Sequence, residues 1–193
     1  STITLHNAIE MPLLGLGSYK AENGAEVIEA IHHALRAGYR LFDTASFYGN
    51  EFGVGEAIRT GGVPREEIFV TTKVWNDDHG YENTLNAFED SIQKLDLDYI
   101  DLYLIHWPVP GKYTETWRAL EKLYKAGKVK AIGVCNCLKH HLQELMEIGE
   151  VIPMLVQNEF HPRLVQEDLR KFCKENNIGY QSWSPLMRGK ILD

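Results

Sequence analysis

The stretch "YIDLYLIHW", residues 99–107, is apolar at nearly every position. A strand with one wet face alternates apolar and polar residues, whereas a continuous apolar run is covered on both sides. Two covered faces mark a parallel strand in a sheet flanked by helices. Working outward, comparable runs occupy 13–17, 40–43, 68–74, 130–135, 154–160 and 178–183. Each except the last is followed by sequence of helical period. Leu85, Phe88, Ile92 and Leu95 recur at three- and four-residue steps, as do Trp117, Leu120, Leu123 and Tyr124, and Val27, Ile28, Ile31 and Leu35. That spacing places one apolar stripe on each helix for packing against a sheet. Gly38, Gly62 and Gly127 follow these segments where a left-handed cap is wanted. The alternation predicts an α/β fold of parallel strands joined by crossover helices.

Counting gives seven strand starts at a spacing of roughly thirty residues, while a closed parallel barrel needs eight. The sequence ends on "RGKILD", just after the seventh. The expectation is one domain over 1–193, an incomplete barrel whose C-terminal part lies outside these residues.

Composition narrows the function classes. Of 193 residues 44% are hydrophobic and 24% charged, enough to bury a core. The net charge of -7 comes with no basic cluster, which argues against binding a phosphate backbone. No apolar run reaches the ~20 residues needed to cross a bilayer. Three cysteines are too few and too odd in number for a disulfide framework, so the expected setting is a reducing cytoplasm. No nucleic acid and no membrane partner is expected.

In a parallel barrel all strand C-termini meet at one rim, so polar residues ending different strands converge. Asp43 ends "RLFD", Lys73 ends "FVTTK" and His106 ends "YLIH", with Tyr48 in the loop "DTASFYGN". Alone, each has a plainer reading: an Asp caps a turn, a Tyr packs, a His sits hydrogen-bonded in a core. Together they read otherwise. A buried ammonium costs several kcal/mol without a partner, and Asp43 is the natural one for Lys73. An ammonium beside Tyr48 favours the phenolate and is expected to lower the phenol's pKa, making it a general acid. Neutral His106 would orient and polarise a carbonyl oxygen.

The motifs "GYRLFDTASFYGNE", "FVTTKVWNDD", "DLYLIHWP", "KVKAIGVCNC", "QNEFHP" and "QSWSPL" stand in an order and spacing that resemble the aldo-keto reductase family, from "MPLLGLGSYK" to "SWSPLMRGK". The resemblance implies a (β/α)8 TIM barrel with "TITLHNAIEM" as a hairpin across its bottom. It implies NADPH-dependent reduction of aldehydes and ketones, with NADH as the weaker-supported cofactor. The family's catalytic residues fall on Asp43, Tyr48, Lys73 and His106, with hydride from the nicotinamide and the proton from Tyr48. Its cofactor contacts fall on Gly17, Ser18, Asp43, Cys135, Asn136, Gln157, Trp183, Ser184 and Leu186. Cys135 stands where serine is common, Trp183 where tyrosine stacks on the ring, and Met187 replaces a frequent glycine. Its substrate pocket falls on Tyr19, Phe47, Trp75, His106 and Trp107. The family default is a monomer acting on a small carbonyl compound.

Other signals carry less. Gly53 and Gly55 in "GNEFGVGEA" lack the third glycine and the preceding long strand of a dinucleotide fingerprint. Cys135 and Cys137, near His140 and His141, lack the wider spacing and second pair of a zinc site, so no metal is expected. His32 and His33 are neighbours on a helix and face different ways, and His161 reads as structural. Two competing functions remain: a nicotinamide-nucleotide-binding protein without catalysis, and an inactive piece of a reductase.

Overall fold

A computed structural model describes residues 1–192. An antiparallel hairpin, β1 (Thr2–Thr4) and β2 (Glu10–Pro12), opens the chain. Seven parallel strands follow, paired in sequence order: β3 (Gly15–Gly17), β4 (Leu41–Asp43), β5 (Phe69–Val74), β6 (Ile100–Ile105), β7 (Val129–Cys135), β8 (Leu155–Glu159) and β9 (Gly179–Trp183). Between them run α1 (Ala25–Arg36), α2 (Glu51–Thr60), α3 (Tyr81–Leu95), α4 (Tyr113–Lys125), α5 (Lys139–Ile148) and α6 (Glu167–Glu175). All seven apolar runs read from the sequence become strands; six are trimmed by one or two residues at an end, and the remaining one, β7, starts one residue earlier than read. The parallel sheet, with a helix in every crossover from β3 to β9, is the architecture of a (β/α)8 barrel. The described residues supply seven of its strands.

Residue alternation sets which side chains face inward. On β5, Thr72 reaches Glu51 of α2 at 2.6 Å, and its register partner on β6, Tyr103, packs against Phe88 of α3 with ring centroids 5.3 Å apart. Those residues face the helix layer, so Thr71 and Lys73 face the interior. Every residue of β5 and β6 is buried, as two covered faces demand. The hairpin lies at the opposite end from the strand C-termini. Asn7 Nδ2 donates to Lys130 O at 2.9 Å, near the start of β7, and Leu5 packs beside Gly179, the first residue of β9.

Gly53 and Gly55, which do not form a nucleotide motif, have a packing reason. Both lie in α2, and a Cβ on Gly55 would collide with Leu95 O at the end of α3. The pair lets α2 settle against its neighbours. His141 likewise has a local role, because its Nδ1 accepts the Leu138 amide at 3.0 Å and closes the start of α5. No helix among the described residues is long and apolar enough to cross a membrane.

Candidate active site

The ladders run on past the strand ends, which fixes the rim residues in register. Ser18 N donates to Asp43 O at 2.9 Å, Thr44 N to Thr71 O at 2.8 Å, His106 N to Val74 O at 3.2 Å and Asn136 N to Gln157 O at 3.0 Å.

Lys73 is fully buried among these ends. Its ammonium donates to the Asp43 carboxylate, to Thr44 O at 3.0 Å and to Tyr48 Oη at 3.4 Å. Burial alone would depress its pKa, but Asp43 and, less strongly, the Tyr48 and Cys135 positions outweigh it and raise the value. Lys73 therefore stays charged. The second Asp43 oxygen accepts from Gln157 Nε2 at 2.7 Å, and the same amide donates to Gln181 Oε1 at 2.7 Å.

Tyr48 ends a short 3-10 turn, Ser46–Tyr48, closed by Gly49 at φ 69°, a left-handed position that suits glycine. The buried Asn50 side chain ties this loop down. It accepts from Thr44 Oγ1 at 2.7 Å and donates to Ser18 O at 2.9 Å and Ala21 O at 3.0 Å. Its own peptide begins α2, whose first residue, Glu51, is buried against Thr72 and Ser91. Burial pushes the Glu51 carboxyl above its ordinary range, against the pull of those two hydroxyls.

The expected direction of the Tyr48 shift is overturned. Its pKa is raised from 10.0, not lowered, because burial outweighs the opposing pull of the Lys73 ammonium, and the Asp43 charge adds to the rise. The cation limits the rise without reversing it. A phenol so placed is fully protonated at neutral pH, which is the state a proton donor needs.

His106 stands edge-on to Tyr48, with centroids 5.7 Å apart at 76°, and to Trp75 at 5.1 Å and 79°. Burial, then Lys73 and His79, lower its pKa from 6.5 to about 3, so the ring is neutral. Phe47 stacks on Trp75 at 3.8 Å and 19°, and Tyr19 leans on Tyr48 at 5.1 Å. The expected substrate residues Tyr19, Phe47, Trp75 and His106 thus gather around Tyr48. Trp107 lines a different wall, that of a cavity of about 640 Å³ shared with Asn76, Lys112, Asn136 and His141.

Of the expected cofactor residues, Ser18, Asp43, Cys135, Asn136, Gln157 and Trp183 form a connected set. Asn136 Nδ2 donates to His106 O at 3.0 Å and lies 3.2 Å from Cys135 Sγ, while its Oδ1 accepts from Trp183 Nε1 at 3.0 Å. Cys135 Sγ lies 3.6 Å from Gln157 Oε1. Ser18 is buried and its hydroxyl contacts Asp43 O and Asn50, so its polar atoms face the protein. Gly17 faces open space, and Ser184 and Met187 take positive φ of 50° and 52° around the exposed Leu186.

Asn50, Glu51 and Gln181 were not singled out from the sequence. Gln181 had a usable signal, since it lies two residues before Trp183 and shares its face by strand alternation. Asn50 and Glu51 had none, because "YGNE" reads as an ordinary turn entering a helix.

The aldo/keto reductase family profile matches residues 13–193, and the chain belongs to that family. It is 58% identical over 192 residues to a protein named glyoxal reductase of Bacillus subtilis, spanning all of this chain and 70% of that one. It is 49% identical to methylglyoxal reductase DkgA of Escherichia coli K12, over 98% of this chain and 68% of that one. The solved aldo/keto reductase of Brucella melitensis superposes with a TM-score of 0.94 at 48% identity, covering 96% of this chain and 73% of that one. A Bombyx mori aldo-keto reductase in complex with NADP gives 0.88 at 36% identity, covering 95% and 66%.

Proposed function

We propose that the chain is a barrel-domain oxidoreductase that reduces small aldehydes and ketones to alcohols with NADPH, with Tyr48 as proton donor. The observation that carries this reading is the contact of a fully buried Lys73 with both the Asp43 carboxylate and the Tyr48 hydroxyl. The names of the glyoxal and methylglyoxal reductases support small carbonyl substrates, with 2-oxoaldehydes as the first class to try. The NADP complex of the Bombyx relative supports the cofactor.

The residues at hand fit a nicotinamide. Two side-chain amides, Asn136 and Gln157, and the half-buried Trp183 indole lie together beside Asp43 and His106. An amide pair can bind a carboxamide, and an indole face can cover a planar ring. Gly17, Ser184 and Leu186 would follow the rest of the dinucleotide along the rim. Bound NADPH supplies hydride to the carbonyl carbon.

The chain's own groups handle the other half of the reaction. Neutral His106 donates a hydrogen bond to the carbonyl oxygen and orients it toward Tyr48. As that oxygen gains negative charge, Tyr48 transfers its phenolic proton, leaving a neutral alcohol and a phenolate. A raised phenol pKa does not obstruct the transfer, because an alkoxide is a far stronger base than a phenolate. Lys73, 3.4 Å away, stabilises the phenolate until solvent returns the proton. Phe47, Trp75 and Tyr19 form the apolar walls. The protein acts as a monomer in the cytoplasm on this reading, in keeping with its three free, buried cysteines.

The test is NADPH consumption with a panel of aldehydes that includes glyoxal and methylglyoxal, NADH being run in parallel. Turnover with NADPH is expected. Tight NADPH binding without turnover on any member would favour a noncatalytic nucleotide-binding role instead.

A further inference from the structure

The turn after β5 holds a group of buried polar atoms that the proposed reaction does not use. His79 is 1% exposed, and neither of its ring nitrogens has a hydrogen-bond partner. Asn76 Oδ1, in the same turn, is buried without a partner, and so is Nδ1 of His106 on the adjoining strand end. Strand pairing brings these segments together: the His106 amide bonds to Val74 O at 3.2 Å, and the Trp75 ring stands 5.1 Å from the His106 ring. A charge on His79 would disfavour one on His106, and burial, with Lys112 beside His79 and Lys73 beside His106, keeps both rings neutral.

A neutral imidazole has one N–H and one bare nitrogen. Folded proteins leave few buried polar atoms unpaired, and polar pockets satisfy them with an ordered water making about three bonds. A water shared by these atoms would accept from His79 N–H and donate to Asn76 Oδ1 and to His106 Nδ1. A donor at Nδ1 forces the His106 proton onto Nε2. Since Nδ1 is buried, Nε2 is the nitrogen left to face a carbonyl.

We propose that His79, through one water shared with Asn76, is a positioning residue that holds His106 as the tautomer protonated at Nε2. This rests on the reading of His106 as a hydrogen-bond donor to substrate. It assigns a role to a buried histidine that touches neither substrate nor cofactor.

The test pairs a spectrum with kinetics. Long-range proton–nitrogen correlation on protein carrying isotope-labelled histidine reads the tautomer of each ring directly. The full chain is expected to show His106 protonated at Nε2, with His79→Leu shifting that signal toward a mixture of tautomers. In His79→Leu, kcat for methylglyoxal is expected to fall about tenfold, the scale of losing an outer supporting group, with NADPH affinity and KM nearly unchanged. His79→Gln, which keeps an N–H donor, should recover most of the loss. Protonation of His106 at Nδ1 in the unmutated chain would overturn the proposal, as would a His79→Leu protein with unaltered kcat and His106 signal. If His79→Leu fails to fold, the tautomer of the unmutated protein and the kcat of His79→Gln decide. Absence of reductase turnover in the unmutated chain would sink the proposed function, while the spectrum would still judge the role of His79.

Discussion

Replacing Lys73 with methionine removes a fully buried cation and keeps much of the side chain's packing. The Asp43 carboxylate is then left with Gln157 Nε2, at 2.7 Å, as its side-chain donor among the described residues, and Thr44 O loses a partner at 3.0 Å. Uncoupling one member of a buried ion pair costs about 3–5 kcal/mol. For a chain of this size that corresponds to roughly 6–20 °C in melting temperature. Urea denaturation of both proteins at neutral pH measures the loss. A deficit below about 1 kcal/mol would refute the reasoning, because it would mean that Asp43 needs no counter-ion.

Tyr48→Phe keeps the ring packed against Tyr19 and His106 and removes the hydroxyl near Lys73. Turnover should fall by about 100- to 10,000-fold, with NADPH affinity nearly unchanged; near-normal turnover contradicts the proton-donor role. Acid should destabilise the chain through two histidines. His79 and His106 have folded pKa values lowered from 6.5 to about 4 and about 3, so the unfolded state binds more protons in that window. Each removes up to about 1.4 kcal/mol per unit as pH falls below about 6.5, with Glu51, whose pKa is raised, working in the opposite direction. A flat stability curve over that window in denaturant titrations contradicts the burial of both rings. Gly55→Ala should cost about 1–3 kcal/mol or more, since the new Cβ collides with Leu95 O, whereas Gly17→Ala, facing open space, should melt like the unmutated chain.

The strands were legible because burial on both faces writes an apolar run, and "YIDLYLIHW" has almost no other reading. The rim followed from one topological rule, that parallel strands end together, so Asp43, Lys73 and His106 could be placed from their positions alone. Tyr48 required the loop motif as well. The sign of its pKa shift was not legible, because a lysine nearby in the fold can be inferred from sequence but the depth of burial cannot. Asp101 shows the same limit. It interrupts the run that reveals the fold, yet it is buried with Arg65 Nη2 at 2.6 Å, Lys130 Nζ at 3.1 Å and the Val70 amide at 3.0 Å. Those partners lie on three other segments, and no local pattern joins them. Asn50 is similar: its bonds to Ser18, Ala21 and Thr44 join the loops after β3 and β4, a relation that exists only once the sheet has formed.

The sealing of Lys73 makes it a chemical clock. Amine-directed acylating reagents need a free, accessible amine, and this one is enclosed on all sides, while Lys20 and Lys112 stand in water. Mass spectrometry after timed exposure would find the outer lysines modified early and position 73 only as often as the sheet parts to admit solvent. The accrual of label there would report how frequently the barrel breathes.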